Sequence, residues 1–111
     1  MADFIELDIE SGANFAMQIE VTNDNGTSRN LHNHIITSQL RKSYYSSTAT
    51  DFTISITDSA NGNIAMTLSA ATTANLRAGR YVFDVEMNDV SNNSIQRIFE
   101  GTATVMPNVT R

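Results

Sequence analysis

His32 and His34 stand two residues apart in "LHNHII", and on an extended strand such a pair shares one face, so both rings could hold a single metal ion. The rest of a metal site is missing from the sequence: the chain has no cysteine, and no pair of carboxylates lies near the histidines. They are expected as surface histidines beside a turn. Asn23-Asp24-Asn25-Gly26 carries part of a calcium-loop pattern, but the first ligand position falls on Val21 and the closing glutamate is absent. A hairpin turn is expected there. Serine, histidine and aspartate all occur, without a nucleophile elbow, an HExxH pair or a glycine-rich phosphate loop. Two acidic rows remain: Asp84 and Glu86 share one face of a strand, as do Glu6, Asp8 and Glu10 of another. Carboxylate pairs serve glycoside hydrolysis, yet acids alternating with apolar residues are the ordinary solvated side of a sheet. No catalytic residue, metal ligand or cofactor-binding residue is assigned, no cofactor is expected, and the chain is read as a non-enzyme.

One stretch offers binding chemistry instead. "QLRKSYYSSTAT" sets Arg41 and Lys42 beside Tyr44 and Tyr45. Neighbours on a strand face opposite ways, so one regular strand cannot bury both tyrosines. Tyr and Arg are enriched in protein interfaces, which makes Arg41, Lys42, Tyr44 and Tyr45 a candidate interface, against the alternative of an ordinary loop.

The composition narrows the class of protein. A chain of 111 residues suits one domain, 1–111, burying roughly 60 to 70% of the surface its unfolded form exposes. Without cysteine there is no disulfide framework, so packing must supply the stability. A net charge of -5, from 7 Lys and Arg against 12 Asp and Glu, argues against binding a phosphate backbone, which needs clustered cations. The start "MADFIELDIE" is acidic where a signal peptide is basic, and no apolar run approaches the roughly 18 residues of a membrane span. A soluble compartment is expected, with neither nucleic acid nor membrane as partner. Asn25-Gly26-Thr27, Asn92-Asn93-Ser94 and Asn108-Val109-Thr110 match the glycosylation pattern, which has meaning only in a secreted chain.

The elements that would position these residues are strands. Residues 3–10 and 14–22 alternate, the second through Phe15, Met17, Ile19 and Val21, and read as an amino-terminal hairpin. Asn25-Gly26 favours the positive φ of a tight turn before a third strand near 33–42. "DFTISITD" alternates Phe52, Ile54 and Ile56 with Thr53, Ser55 and Thr57, and Asn61-Gly62 folds it back into a strand over 64–68. Strands over 80–88 and 95–105 follow, joined by a turn at 89–93. The alternation slips around Ile98-Phe99-Glu100-Gly101, predicting a bulge or bend at Gly101, and Pro107 ends the pairing because it lacks an amide hydrogen. Seven strands with turn signals every 8 to 12 residues predict an all-β, antiparallel, Ig-like sandwich. "SAATTANLRAG" interrupts the alternation because a sandwich needs a crossover between its sheets: a short helical turn near 70–77, under Leu76, released by Gly79. Tyr81, two residues later, is placed for a tyrosine corner, with its ring buried and its hydroxyl bonded to upstream backbone.

The pieces "SQLRKSYYSS", "LSAATTANLRAGRYVFDVEM" and "RIFEGTATVMPNVTR" resemble the small Ig-like structural proteins of tailed bacteriophages, especially of cyanophages and other marine phages, over roughly residues 35–111. The pattern is Gln39-Leu40-Arg41, Leu68-Ser69 with Thr72 and Leu76, Gly79-x-Tyr81 with Asp84, then Glu100-Gly101, Val105, Pro107 and Val109-Thr110. These are fold-making residues, and Met106 and Asn108 depart mildly from the pattern. The resemblance implies a virion protein that docks onto other virion structural proteins, in several copies of a symmetric assembly of the tail, neck or baseplate. Capsid decoration is the alternative, followed by a carbohydrate-binding module of the host surface using Tyr44 and Tyr45.

Overall fold

Alternation in the sequence becomes an inner and an outer face in each strand of the computed structural model, which describes residues 3–23 and 25–107. Asp24 of the calcium-like run, the Asn108-Val109-Thr110 motif and the last two pattern residues of the resemblance lie outside the described residues. Along β7 (Gly79–Asp89), Tyr81, Phe83, Val85 and Met87 are buried while Glu86 is exposed; along β1 (Asp3–Glu10), Leu7 and Ile9 are buried while Glu6, Asp8 and Glu10 are exposed. The other strands are β2 (Phe15–Glu20), β3 (His34–Arg41), β4 (Thr50–Asp51), β5 (Thr53–Asp58), β6 (Asn63–Leu68) and β8 (Ser94–Met106). Among the described residues there is one short helix, α1 (Ala70–Ala74), which precedes β7.

The strands form two sheets, ordered β1-β8-β7-β3-β4 and β2-β6-β5. This is an all-β, Ig-like sandwich: β2, β6 and β5 take the places of strands B, E and D, and β3, β7 and β8 those of C, F and G. Between the sheets lies one core, in which Ile9, Leu40, Ile64, Met66, Val85 and Val105 are fully buried. Phe52 links the layers, its ring 6.0 Å from that of Phe15 and 6.1 Å from that of Phe83.

Four features differ from the sequence-based expectation. The first two strands do not form a hairpin: β2 pairs with β6, whereas β1 runs parallel to β8, from Asp3 opposite Phe99 to Glu10 opposite Met106. Every other pairing of strands among the described residues is antiparallel. Alternation tells which face a residue occupies, not which neighbour the strand chooses. Next, the seven expected strands are joined by the two-residue β4, after which the chain changes sheets at Phe52; its amide donates to the Ser38 carbonyl at 3.0 Å before Thr53 begins pairing with β6. Third, the Asn25-Gly26 turn is present, closed by the Asn23 amide on the Thr27 carbonyl (2.8 Å), but it joins only a Thr22–Ser28 bridge, because β2 and β3 belong to different sheets.

Finally, the bulge sits earlier than Gly101. Val85 faces Phe99 but Glu86 faces Arg97, so Ile98 is the extra residue. Gly101 continues the regular ladder and is buried, and its need for glycine comes from the neighbouring strand. A β-carbon there would overlap the carbonyl oxygen of Ile5 and lie 2.8 Å from its carbonyl carbon. β8 ends at Met106, one residue before Pro107.

The crossover is as the sequence predicts. Ser69 caps α1 by accepting the Thr72 amide at 3.2 Å. Thr73 is fully buried and its hydroxyl accepts the Gly12 amide (3.1 Å) and donates to the Ala13 carbonyl (2.8 Å), tying the helix to the β1–β2 connection. Leu76 packs against the core from the following turn. Gly79, at φ 137°, occupies backbone space that side-chain-bearing residues rarely enter. Tyr81 then completes the tyrosine corner: its buried ring lies in the core and its hydroxyl donates to the Arg77 carbonyl at 2.7 Å.

Candidate functional site

The candidate interface lies at the crossover end of the sandwich. β3 stops at Arg41 because the chain must turn before β4, and Arg41 itself holds the turn: its guanidinium donates to the Ser46 carbonyl at 2.5 Å and to the Gln39 side chain at 2.9 Å. Lys42 lies over the Tyr81 ring, with its Nζ 4.7 Å from the centroid, a cation–π contact on the tyrosine corner. The two cations therefore shape the loop that carries the tyrosines. Tyr44 is 68% exposed and Tyr45 97%, so both meet solvent, where strand geometry required only one to do so.

Folding adds two residues to this surface that sequence reasoning did not select. Arg77, whose carbonyl receives the tyrosine hydroxyl, and Arg80, at the start of β7, are both exposed beside Lys42. Their separation from Lys42 along the chain concealed them; the signal available was that Gly79 and Tyr81 must sit beside the end of β3. Among the described residues, Arg41, Lys42, Arg77 and Arg80 have no carboxylate within 4.0 Å. Between the 42–50 loop and the crossover runs a cleft of about 340 Å³ lined by Leu40, Lys42, Thr48, Leu76, Arg77 and Tyr81. Tyr44 borders a second cleft, of about 280 Å³, on the outer face of the sheet with Val82, Asp84 and Arg97.

The other chemistry-bearing residues separate. His32 lies in a turn outside β3, so it does not share a strand face with His34. The His34 Nδ1 donates to the His32 carbonyl at 2.8 Å, while its Nε2 lies 3.8 Å from the Asp89 carboxylate. Asp84 and Glu100 face each other across β7 and β8, and Arg97 bridges them at 3.4 and 3.3 Å. Among the described residues no three His, Asp or Glu side chains are grouped to hold a metal ion. The Asn25 side chain accepts the Thr27 amide and hydroxyl, at 3.1 and 2.6 Å, inside its own turn. No helix of the described residues is long and apolar enough to cross a membrane.

No protein-family model matches the chain, and no curated protein matches its sequence. Solved structures do match its shape. InlP of Listeria monocytogenes is 13% identical with a TM-score of 0.51, over 94% of this chain and 26% of that one. The NK cell receptor Nkp44 is 14% identical with a TM-score of 0.49, over 96% and 99%. A family 123 glycoside hydrolase from Clostridium perfringens is 13% identical with a TM-score of 0.44, over 98% and 24%. The chain thus spans about a quarter of the length of InlP, and that likeness is one of fold.

Proposed function

We propose that this chain is a non-enzymatic structural protein of a tailed-bacteriophage virion, an Ig-like adaptor of the tail, neck or baseplate that acts by docking in a symmetric ring. The observation that carries the docking role is the crossover end: two exposed tyrosines on a loop pinned by Arg41, beside cations that have no carboxylate partner among the described residues. Tyrosine buries a large area with few rotors, and both tyrosine and arginine are enriched among the hot spots of protein interfaces. A rigid sandwich holds such a surface without the entropy cost of ordering a flexible segment on binding. The phage assignment is supported by the resemblance over roughly residues 35–111, carried by Gly79, Tyr81, Gly101, Pro107 and their neighbours.

The test is the copy number of the protein in purified virions, measured by quantitative mass spectrometry against the capsid and tail-tube proteins. Ring symmetry gives about six to a few dozen copies. Hundreds of copies would replace the ring by capsid decoration, and absence from the virion would overturn the proposal.

A further inference from the structure

The two ends of the sandwich carry opposite charge. At the crossover end, with Tyr44 and Tyr45, the four cations Arg41, Lys42, Arg77 and Arg80 outnumber the acids Asp8 and Glu10 of β1, of which Asp8 stands in register with Arg80 across Thr104. The opposite end gathers acids from both sheets. Glu20 and Asp58 flank Asn63 at one margin of the β2-β6-β5 sheet, and Asp89 closes β7 of the other. These margins are joined there by the Leu31 amide on the Ser59 carbonyl (2.7 Å) and the His34 amide on the Leu31 carbonyl (3.1 Å). Beside the acids lies exposed apolar surface: Ile35 and Ile95 flank Asn88 on the outer face, at 55% and 65% exposure, and Val90 follows in the turn at 54%. Arg29 is the cation nearest this end, its amide bonded to the Val21 carbonyl.

We infer that the crossover end of one copy docks on the acidic end of the next copy, head to tail. The inference rests on the ring proposed above and names the contact that builds it. The tyrosine rings meet Ile35, Val90 and Ile95 while Lys42, Arg77 and Arg80 meet Glu20, Asp58 and Asp89, so apolar and charged surface are matched together. A contact between two crossover ends would set a majority of cations on each side against one another, and one between two acidic ends acid against acid, which opposes a twofold pair through either end. A heterologous contact leaves each copy one free head and one free tail, and repetition closes a ring when the rotation permits. The molecule measures 45 × 28 × 22 Å, so an end face buries roughly 1,000 Å² over both partners, at the lower limit of a stable interface. A single contact is therefore weak and salt-sensitive, and closure of the ring stabilises it.

Lys42 is the only lysine of the chain, which makes the contact readable. A zero-length carbodiimide, joining amines to carboxylates, is applied at low salt to an equal mixture of unlabelled and nitrogen-15 protein, and the bridged peptides are mapped. The expected product joins Lys42 of one isotope to Glu20, Asp58 or Asp89 of the other, and fades in about 0.5 M salt, where screening acts within roughly 4 Å. Bridges confined to one copy would overturn the inference, as would bridges between copies that end on Asp8 or Glu10, which lie on β1 at the same end as Lys42. A charge swap supplies an independent reading by sedimentation. Arg77→Glu with Arg80→Glu, and separately Glu20→Lys with Asp58→Lys, should each weaken self-association at least about tenfold, and mixing the two variants should restore it. Restoration failing, with both variants folded by circular dichroism, also overturns it. A virion copy number in the ring range with failed bridging removes this contact alone, whereas mapped bridging with absence from the virion removes the phage role alone.

Discussion

Substituting Gly101 by alanine tests the account of the first strand. A methyl group at this position overlaps the Ile5 carbonyl oxygen, and the Ile5 amide nitrogen would stand 3.0 Å away. Carbon and oxygen approach no closer than about 3.3 Å in ordinary contacts, so β1 must withdraw by more than about 1.5 Å at Ile5. A ladder bond lengthened from about 2.9 Å by that amount is lost. Two or three rungs around the Ile5–Gly101 pair fail together, at about 1 kcal/mol each net of hydration. Loosened packing of Leu7 and Ile9, which β1 contributes to the core, brings the expected destabilisation to about 3 kcal/mol. In thermal unfolding this is roughly a 10 to 20 °C fall in midpoint for a domain of this size. Urea titration gives the free energy, and amide exchange should show protection lost first along Glu6 to Ile9. Thr102→Ala, one residue on and half-exposed, is the control and should change little. A Gly101→Ala protein within about 0.5 kcal/mol of the parent, or one losing protection evenly across both sheets, would refute the close-approach argument.

Three further outcomes follow from the corner and the loop. Tyr81→Phe keeps the buried ring and the Lys42 contact but removes the 2.7 Å bond to Arg77, so urea unfolding should show a loss of about 1 kcal/mol. A loss above about 3 kcal/mol would mean that the ring itself had moved. Thr73→Val leaves the Gly12 amide and the Ala13 carbonyl without their hydroxyl partner and should cost about 1 to 3 kcal/mol, with exchange quickening at Gly12; an unchanged Gly12 exchange rate would refute the tie. Tyr44→Ala and Tyr45→Ala together should leave stability within about 0.5 kcal/mol, since both rings face solvent, while lowering the yield of Lys42 bridges between copies; a large loss of stability would show the rings packing on the loop instead.

The strands, the crossover and the tyrosine corner were legible because each has a local cause: alternation in Tyr81 to Met87, a Ser69 cap followed by small residues, and glycine before the corner. Partner choice has no local cause. Nothing within "DFIELDIE" distinguishes pairing with β2 from pairing with β8, because the same alternation buries Leu7 and Ile9 either way. Around Gly101 two causes overlap in the sequence: the slip in alternation belongs to Ile98, whereas the glycine answers to a backbone nearly a hundred residues earlier. Two-residue β4 is too short to alternate. The tyrosine pair was legible as a contradiction, two neighbours that one strand could not bury. Arg77 and Arg80 were not, because only the crossover brings them beside Lys42.

The parallel pairing of β1 with β8 also decides how the domain carries force. Its first and last strands lie side by side and point the same way over eight residue pairs, from Asp3 with Phe99 to Glu10 with Met106. Tension applied between the start of β1 and the end of β8 pulls the two strands along their length in opposite directions, so every rung is loaded at once. An antiparallel terminal hairpin pulled from its two ends opens one rung at a time. The topology makes the two strands a shear clamp, and the fold resists stretching between the start of β1 and the end of β8.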